Sequence, residues 1–237
     1  MGSLRNIKKA ADWSGSCRGA SALEHPGARP NLLVLVPRRS YRWVFFIKSG
    51  FTMGLLTFAI NVTLDGCCDH RAVAPDDELF RFWIRLMDAA GGMLWGRKVY
   101  ELMENYWPAV ARDPKATRLE REWAHKLDAK DKFVLSTSRR DYPWGNTHRV
   151  EGDLAGAIKR LKKRMPRGLL LGSPNLAKQL HRLGLIDEYL FVVHPIVAGH
   201  GPMLFVDWQA SRLKLAETKR YKSGVMALRY RQGLELS

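Results

Sequence analysis

Hydrophobic residues follow two different spacings from residue 53 onward, and each spacing predicts a different kind of element. The runs LLTFAINV (55–62) and GMLW (92–95) are short and mostly apolar, which is typical of buried strands. Between them, Leu79, Phe82 and Leu86 recur every three or four residues, as on one face of an amphipathic helix. The chain therefore alternates strand and helix patterns, which predicts an α/β layered domain.

The same patterns extend to the end of the chain. Asp76 and Asp77 suit the N-terminus of the first helix, because acidic groups there meet the positive end of the helix dipole. The next predicted elements are a helix over KVYELMENYW closed by Pro108, a charged and exposed helix over 113–130, and strands over DKFVLSTS and NTHRV. They are followed by a helix over GDLAGAIKRLKKRM with a solvated basic face, and by a strand, turn and helix over GLLLGSPNLAKQLHRLG. The last are a strand over DEYLFVVHPIV and a hairpin over 213–233 that turns at Ser223–Gly224.

Residues 1–52 differ from the rest of the chain. They contain nine Lys or Arg residues against two acidic ones, Asp12 and Glu24, and show no sustained apolar period. We interpret them as a disordered or transit-peptide-like segment, or as an upstream extension before a start at Met53. The apolar stretch 43–60 is interrupted by Lys48 and divides at Met53, so we predict no membrane span. The folded domain is then 53–237.

The composition favours a basic globular protein that binds anions. The chain has 237 residues, a hydrophobic content of 46% and a formal net charge of +16, which attracts nucleic acid, acidic membranes or phosphorylated small molecules. Its three cysteines, Cys17, Cys67 and Cys68, form no disulfide framework, so free thiols in a reducing cytoplasm are favoured over a redox pair. The cysteine and histidine spacings predict no metal site, and the absence of G-x-S-x-G argues against a nucleophilic hydrolase.

Three strand ends pass directly into polar or glycine-containing turns: Gly96 to Val99, Ser136 to Arg140, and Gly172 to Leu176. Parallel strands bring such turns together at the carboxyl edge of a sheet. Helix N-termini, hydroxyls and guanidinium groups all hold phosphate, so the three turns predict a dinucleotide site, with Arg139 and Arg140 favouring the 2′-phosphate of NADPH. The alternative is that each is a plain connecting turn, since neither G-x-G-x-x-G nor a P-loop motif is present.

The order INVTLDG, GMLWGRKVYELM, DKFVLSTSRR, GDLAGAIKRLK, GLLLGSPNLAKQL and GLIDEYLFVVHPIVAGHGPMLF resembles the dihydrofolate-reductase superfamily, and within it the reductases of the RibD C-terminal type. The resemblance covers about residues 53–232. It implies a three-layer α/β/α fold with a mixed, mostly parallel central sheet and a C-terminal antiparallel hairpin. It also implies an NADPH-dependent oxidoreductase acting on a pyrimidine intermediate of riboflavin biosynthesis or a pterin-like substrate, as a cytoplasmic homodimer.

The resemblance also implies which residues bind the cofactor. Those residues are Asn61, Leu64, Gly96, Arg97, Lys98, Val99, Ser136, Thr137, Arg139, Gly172, Ser173 and Leu176. Two positions depart from the family pattern, since Val99 replaces a frequent Thr and only Gly172, instead of two glycines, precedes Ser173.

Hydride transfer also requires a proton, for which Glu78 and Asp65 are the candidates. Glu78 lies at the border of the apolar helix face, where burial would raise its pKa, or it only decorates the helix N-terminus. Asp65 belongs to an Asp-Gly pair, which is often structural. Phe82 and His200 are predicted to border the substrate, whereas His194 ends a buried strand and is predicted to be a satisfied histidine.

Two other functions remain open at this point. A catalytically degenerate member of the same fold would bind a nucleotide without turnover, as the departures at Val99 and before Ser173 suggest. A nucleic-acid-binding protein would account for the net charge, although no recognised binding motif is present.

Overall fold

The computed structural model describes residues 53–233, so the expectations for residues 1–52 lie outside the described residues. The described chain contains one sheet of eight strands in the order β4-β3-β2-β5-β1-β6-β8-β7. The strands are β1 Leu56–Thr63, β2 Gly92–Gly96, β3 Asp131–Leu135, β4 Thr147–Val150, β5 Leu169–Leu171, β6 Glu188–His194, β7 Leu213–Arg220 and β8 Met226–Gln232. The first six strands in this order, from β4 to β6, pair in parallel with their neighbours. Strand β8 pairs antiparallel with both β6 and β7.

Six helices accompany this sheet in the described chain. They are α1 Asp77–Ala89, α2 Arg97–Glu104, α3 Trp107–Val110, α4 Arg118–Ala129, α5 Leu154–Arg164 and α6 Pro174–Arg182, and a short 3₁₀ helix spans His70–Ala72. The predicted three-layer α/β/α fold with a mixed, mostly parallel sheet and a C-terminal hairpin is confirmed. The hairpin connection includes Ser223 and Gly224, and Gly224 has a φ of 83°, which a residue without Cβ adopts most readily.

Two hydrophobic clusters cover the two faces of the sheet. Alternation along β2 sends Met93 and Trp95 to one cluster and Leu94 to the other. The first cluster also contains buried apolar residues of α1 and α4 together with Tyr100 of α2. The second contains buried apolar residues of α5 and α6. Helices α2 and α6 therefore approach the carboxyl edge of the sheet from opposite faces.

The helix N-termini differ in how they are capped. Asp76, Thr117 and Asp153 each accept a backbone N–H of the first turn of α1, α4 and α5, and Thr117 forms a reciprocal capping box with Glu120. Helices α2 and α6 have no side-chain cap. Because first-turn N–H groups have no intrahelical acceptor, these two helices present unsatisfied donors at the sheet edge.

Two sequence expectations about helices were wrong in detail. Helix α2 ends at Glu104, and Pro108 lies in the first turn of the short helix α3 instead of closing the preceding one. Proline is tolerated there because its missing N–H has no partner in a first turn. Helix α4 is half-buried and not fully exposed, since its apolar face packs against the first cluster.

The basic face of α5 is not fully solvated either. Lys162 is buried, and its Nζ lies 2.6 Å from Oδ2 of Asp187. Asp187 also accepts the backbone N–H of Leu56 at 2.7 Å. The ion pair therefore joins α5 to the beginning of β1.

Candidate functional site

The three predicted turns lie at the ends of three neighbouring parallel strands. Strand β2 is paired with β3 on one side and β5 on the other, with Gly96 opposite Leu135 and Leu94 opposite Leu171. The turns that follow these strands therefore meet at one edge, as the sequence predicted.

A direct hydrogen bond joins the first and third turns. The backbone N–H of Gly96 donates to Oγ of Ser173 at 2.9 Å. A Cβ added at Gly96 would lie 3.9 Å from Leu176, so the first turn of α6 is in contact with the start of α2. Ser173 therefore uses its hydroxyl to connect two helix N-termini and not to cap its own helix. Since the Gly96 N–H is occupied, the open donors at α2 are those of Arg97, Lys98 and Val99.

The side chains at these turns differ in exposure. Arg97 and Lys98 are exposed, while Val99 is half-buried and packs against the first hydrophobic cluster. Gly172 is half-exposed, and a Cβ there would lie 3.4 Å from Nε1 of Trp95. The departure at Val99 therefore fills space in the core, and this position offers a ligand only its backbone N–H.

The second turn is fastened to α2 by Arg139. Its guanidinium binds Glu104 in a bidentate manner, with Nη1 at 2.8 Å from Oε2 and Nη2 at 3.0 Å from Oε1. It also lies 4.9 Å from the ring centroid of Tyr100. Ser136 Oγ accepts the backbone N–H of Arg139 at 2.9 Å, whereas Thr137 is exposed. Arg139, predicted to bind a phosphate, is thus engaged within the protein.

Sequence reasoning missed the acidic residues of α2. Glu101 lies 3.2 Å from Nη1 of Arg97 and 3.8 Å from Nη1 of Arg139, so both turns share this carboxylate. The spacing of Arg97, Glu101 and Glu104 places all three on one helix face, and this pattern was a signal available in the sequence.

A second polar group lies at the ends of β1 and β6. His194 Nε2 and Asn61 Oδ1 are 3.1 Å apart, and His194 is buried. Burial lowers the pKa of His194, and the nearby carboxylate of Asp76 opposes that effect. A histidine with a lowered pKa is mainly neutral at pH 7, so the expectation of a satisfied histidine is confirmed.

Asp65 anchors the loop that follows β6. Its carboxylate accepts the hydroxyl of Thr63 at 2.5 Å, and the N–H groups of Ala198 at 3.1 Å and Gly199 at 2.8 Å. The bond from Thr63, followed by those from Gly199 and Ala198, lowers the pKa of Asp65 to about 2. Asp65 is therefore ionised at neutral pH and carries no proton to donate.

A cavity of about 440 Å³ opens beside this anchor. It is lined by Asp69, Arg71, Ala72, Ile196, Ala198 and His200. His200, a predicted substrate neighbour, is thus placed at a cavity, and Leu64 is exposed with its N–H bound to the carbonyl of Ile196 at 2.9 Å. Sequence reasoning missed Asp69 and Arg71, whose ion pair has a shortest distance of 2.6 Å.

The two remaining candidates, Phe82 and Glu78, make contacts within the protein. Phe82 is 1% exposed and packs against Trp83 and Tyr221, so it is a core residue and not a substrate contact. The periodicity that placed it on the apolar face of α1 already favoured this position. Glu78 Oε2 accepts the backbone N–H of Lys222 at 3.3 Å, which ties α1 to the turn between β7 and β8.

Between residues 53 and 233, no group of three or more His, Cys, Asp or Glu side chains is arranged to hold a metal ion. Cys67 and Cys68 are free thiols. None of the helices in this range is long and apolar enough to span a membrane.

A known family model matches most of the described chain. Residues 55–227 match the model of the RibD C-terminal domain, from just before β1 into β8. This chain belongs to the RibD C-terminal domain family. The match includes all three turns and the cavity-lining loops. A curated relative, the uncharacterized protein YyaP of Bacillus subtilis (strain 168), is 28% identical over 179 residues, covering 72% of this chain and 91% of that protein.

Solved structures show the same fold at low identity. A putative riboflavin biosynthesis protein from Shewanella sp. PV-4 is 20% identical with a TM-score of 0.59, covering 76% of this chain and 99% of that one. A pyrimidine reductase-like protein from Corynebacterium diphtheriae is 14% identical with a TM-score of 0.53, covering 78% and 94%. The riboflavin biosynthesis reductase Rib7 of Saccharomyces cerevisiae is 12% identical with a TM-score of 0.51, covering 78% and 92%. The fold of this chain therefore covers nearly the whole of each of these three chains.

Proposed function

We propose that this protein is an NADPH-dependent reductase that transfers a hydride to a small heterocyclic substrate. The observation that carries the proposal is the pair of uncapped helix N-termini at α2 and α6, joined by the bond from Gly96 to Ser173. A pyrophosphate is anionic and accepts several N–H donors, so two adjacent helix ends suit it. Membership of the RibD C-terminal domain family supports the same conclusion.

The residues present fit a dinucleotide. The N–H groups of Arg97, Lys98 and Val99 at α2, and of Asn175 and Leu176 at α6, would hold the pyrophosphate, since these first-turn positions lack intrahelical acceptors. When bound, the cofactor supplies the hydride. The protein's own part is to hold the phosphates and to keep the reacting end beside the cavity.

The cavity is the proposed substrate site. Its volume of about 440 Å³ falls within the range of small-molecule sites, and its lining combines apolar walls with Asp69, Arg71 and His200. We propose a pyrimidine intermediate of riboflavin biosynthesis, in keeping with the pyrimidine reductase-like relative, or else a pterin-like compound. We further propose that the protein is a cytoplasmic homodimer. Sedimentation of the purified chain would test its oligomeric state.

One observation favours a second candidate, a nucleotide-binding member without turnover. Both acids predicted to deliver a proton hold loops together, Asp65 by binding Ala198 and Gly199, and Glu78 by binding Lys222. The low pKa of Asp65, about 2, also leaves it without a proton at neutral pH.

The test is a titration of the full chain with NADPH, followed by tryptophan fluorescence and by loss of reduced-nicotinamide absorbance with each substrate class. NADPH binding and oxidation support the reductase, and binding without oxidation across the panel supports the second candidate. Loss of affinity in Ser173→Asp, which places a carboxylate between the helix ends, would locate the site. Ser223→Asp in the exposed β7–β8 turn is the matched control. Failure to bind NADPH, with salt-sensitive oligonucleotide binding instead, would contradict both.

A further inference from the structure

We infer that Glu101 on α2 governs the preference between NADPH and NADH by opposing the 2′-phosphate of the adenosine ribose. This inference rests on the proposed function, because it concerns one end of the proposed cofactor.

The strand order decides which end of a dinucleotide meets Glu101. The helix ends that would hold the pyrophosphate follow β2 and β5, and the cavity lies beside the ends of β1 and β6. The reacting end must lie next to a substrate, so it extends toward β1 and β6. The adenosine ribose then extends the other way, toward β3, where Arg97, Glu101 and Arg139 are found.

Glu101 lies between the two arginines at this end. Both of its carboxylate oxygens are 3.2 Å from Nη1 of Arg97, and Oε1 is 3.8 Å from Nη1 of Arg139. Arg139 is further occupied by the bidentate pair with Glu104. The positive charge that would attract a phosphate is therefore already balanced by two carboxylates on the same helix.

These charges act in opposite directions on the two cofactors. A 2′-phosphate must compete with Glu101 for the arginines, and its negative charge is repelled by the carboxylate. A free 2′-hydroxyl instead donates a hydrogen bond to a carboxylate, and acidic residues of dinucleotide-binding folds accept this bond from the ribose. Lys98 and Arg140 are exposed and form no ion pair with another described residue, so they favour the phosphate. Glu101 is the group whose removal shifts this balance.

The experiment measures the dissociation constants of NADPH and NADH for the full chain and for Glu101→Gln. Glutamine keeps the size and removes the charge, so the preference for NADPH over NADH should rise about tenfold. The pair 2′,5′-ADP and 5′-AMP should show the same change, because they carry only the adenosine end. Glu122→Gln on α4 removes an equal charge from a residue that has no ion pair within residues 53–233, and it should leave the ratio unchanged.

A second variant keeps the inference falsifiable. Arg97→Gln removes the cation that Glu101 balances and should lower the preference for NADPH. Unchanged ratios in both variants, with both cofactors bound and thermal midpoints preserved, would overturn the role of Glu101 and leave the reductase proposal intact. Absence of binding of either cofactor to the unaltered chain would overturn the proposed function and, with it, this inference.

Discussion

Asp65 Oδ2 accepts the backbone N–H of Gly199 at 2.8 Å, which connects the end of β1 to the loop after β6 across 134 residues of chain. The neighbouring bond from Ala198 involves a cavity-lining residue. The shape of the cavity therefore depends on a carboxylate that does not itself line it.

Replacing Asp65 by Asn should loosen this loop. The amide keeps one acceptor but places an N–H₂ group against the N–H of Gly199 or Ala198, so at least one bond is lost. Amide hydrogen exchange at Ala198 and Gly199 should accelerate, and affinity for the substrate should fall while cofactor binding persists. Asp207→Asn, which alters only an exposed pair with Lys178, is the control.

The same variant should change the pH dependence of stability. The pKa of Asp65 is lowered from 3.8 to about 2 in the folded protein, so its contribution is complete above pH 3.8 and is lost as the pH falls through about 2. The thermal midpoint of the unaltered protein should therefore fall more steeply in this window than that of Asp65→Asn. Parallel curves would show that the ionisation of Asp65 is not coupled to folding.

Lys132 should be important for stability because it is fully buried and its ammonium group binds carbonyls at the C-terminal end of α4. Its Nζ donates to the carbonyls of Leu127, Asp128 and Lys130 at 2.8 to 3.1 Å. Lys132→Met leaves these acceptors without their donor, and we expect a loss of about 3 kcal/mol in the free energy of unfolding. Urea denaturation measures it, and Lys126→Met, which removes a surface pair with Asp88, should cost less than about 1 kcal/mol.

The titration of Lys132 should also make the free energy of unfolding depend on pH in the alkaline range. Burial lowers its pKa from 10.5 to about 8. Between these values the unfolded chain binds more protons than the folded one, so this group makes stability rise with pH across that range. The difference in unfolding free energy between the unaltered protein and Lys132→Met should widen from pH 8 to 10. A constant difference would mean that the ammonium group stays charged in the fold.

Removing both charges of the partly buried pair of Lys162 and Asp187 should cost less stability than removing the Lys162 charge alone. Lys162→Met leaves the carboxylate of Asp187 without its ion pair, which should cost about 3 kcal/mol. Lys162→Met combined with Asp187→Asn removes both charges and should recover part of that loss. A double-mutant cycle from chemical denaturation measures the coupling, and purely additive losses would show that the pair is not energetically linked.

Filling the cavity should separate substrate binding from cofactor binding. Ala198→Leu adds three carbons to a lining residue, so the KM for substrate should rise at least tenfold while the NADPH dissociation constant stays the same. Ala129→Leu at the exposed end of α4 provides a change of equal size elsewhere. An equal loss of affinity for both ligands would show that the cavity is not a separate substrate site.

The order and type of the elements were accessible from the sequence because each depends on local spacing. The strand at 92–96 and the apolar face of α1 follow from period and length alone. The end of α2 was not accessible, because Pro108 is equally compatible with closing one helix and beginning another. The burial of Lys162 depends on Asp187, which is 25 residues away, and no local pattern signals such a partner.

Some features of the candidate site were likewise predicted from the sequence and others were not. The meeting of the turns after β2, β3 and β5 follows from parallel pairing and was predicted. The engagement of Arg139 by Glu104 was missed, because a basic residue after a strand offers the same pattern whether it meets a ligand or a carboxylate 35 residues earlier. Phe82 was assigned to substrate although its helical spacing pointed to the core.

Helices α2 and α6 belong to opposite layers, and their N-terminal ends meet through the N-cap residues Gly96 and Ser173. A molecule that binds both helix ends would therefore contact both helix layers directly. Its affinity would add to the resistance of both layers to unfolding, so saturating ligand should slow hydrogen exchange in α1 and α5 alike, although neither helix touches it.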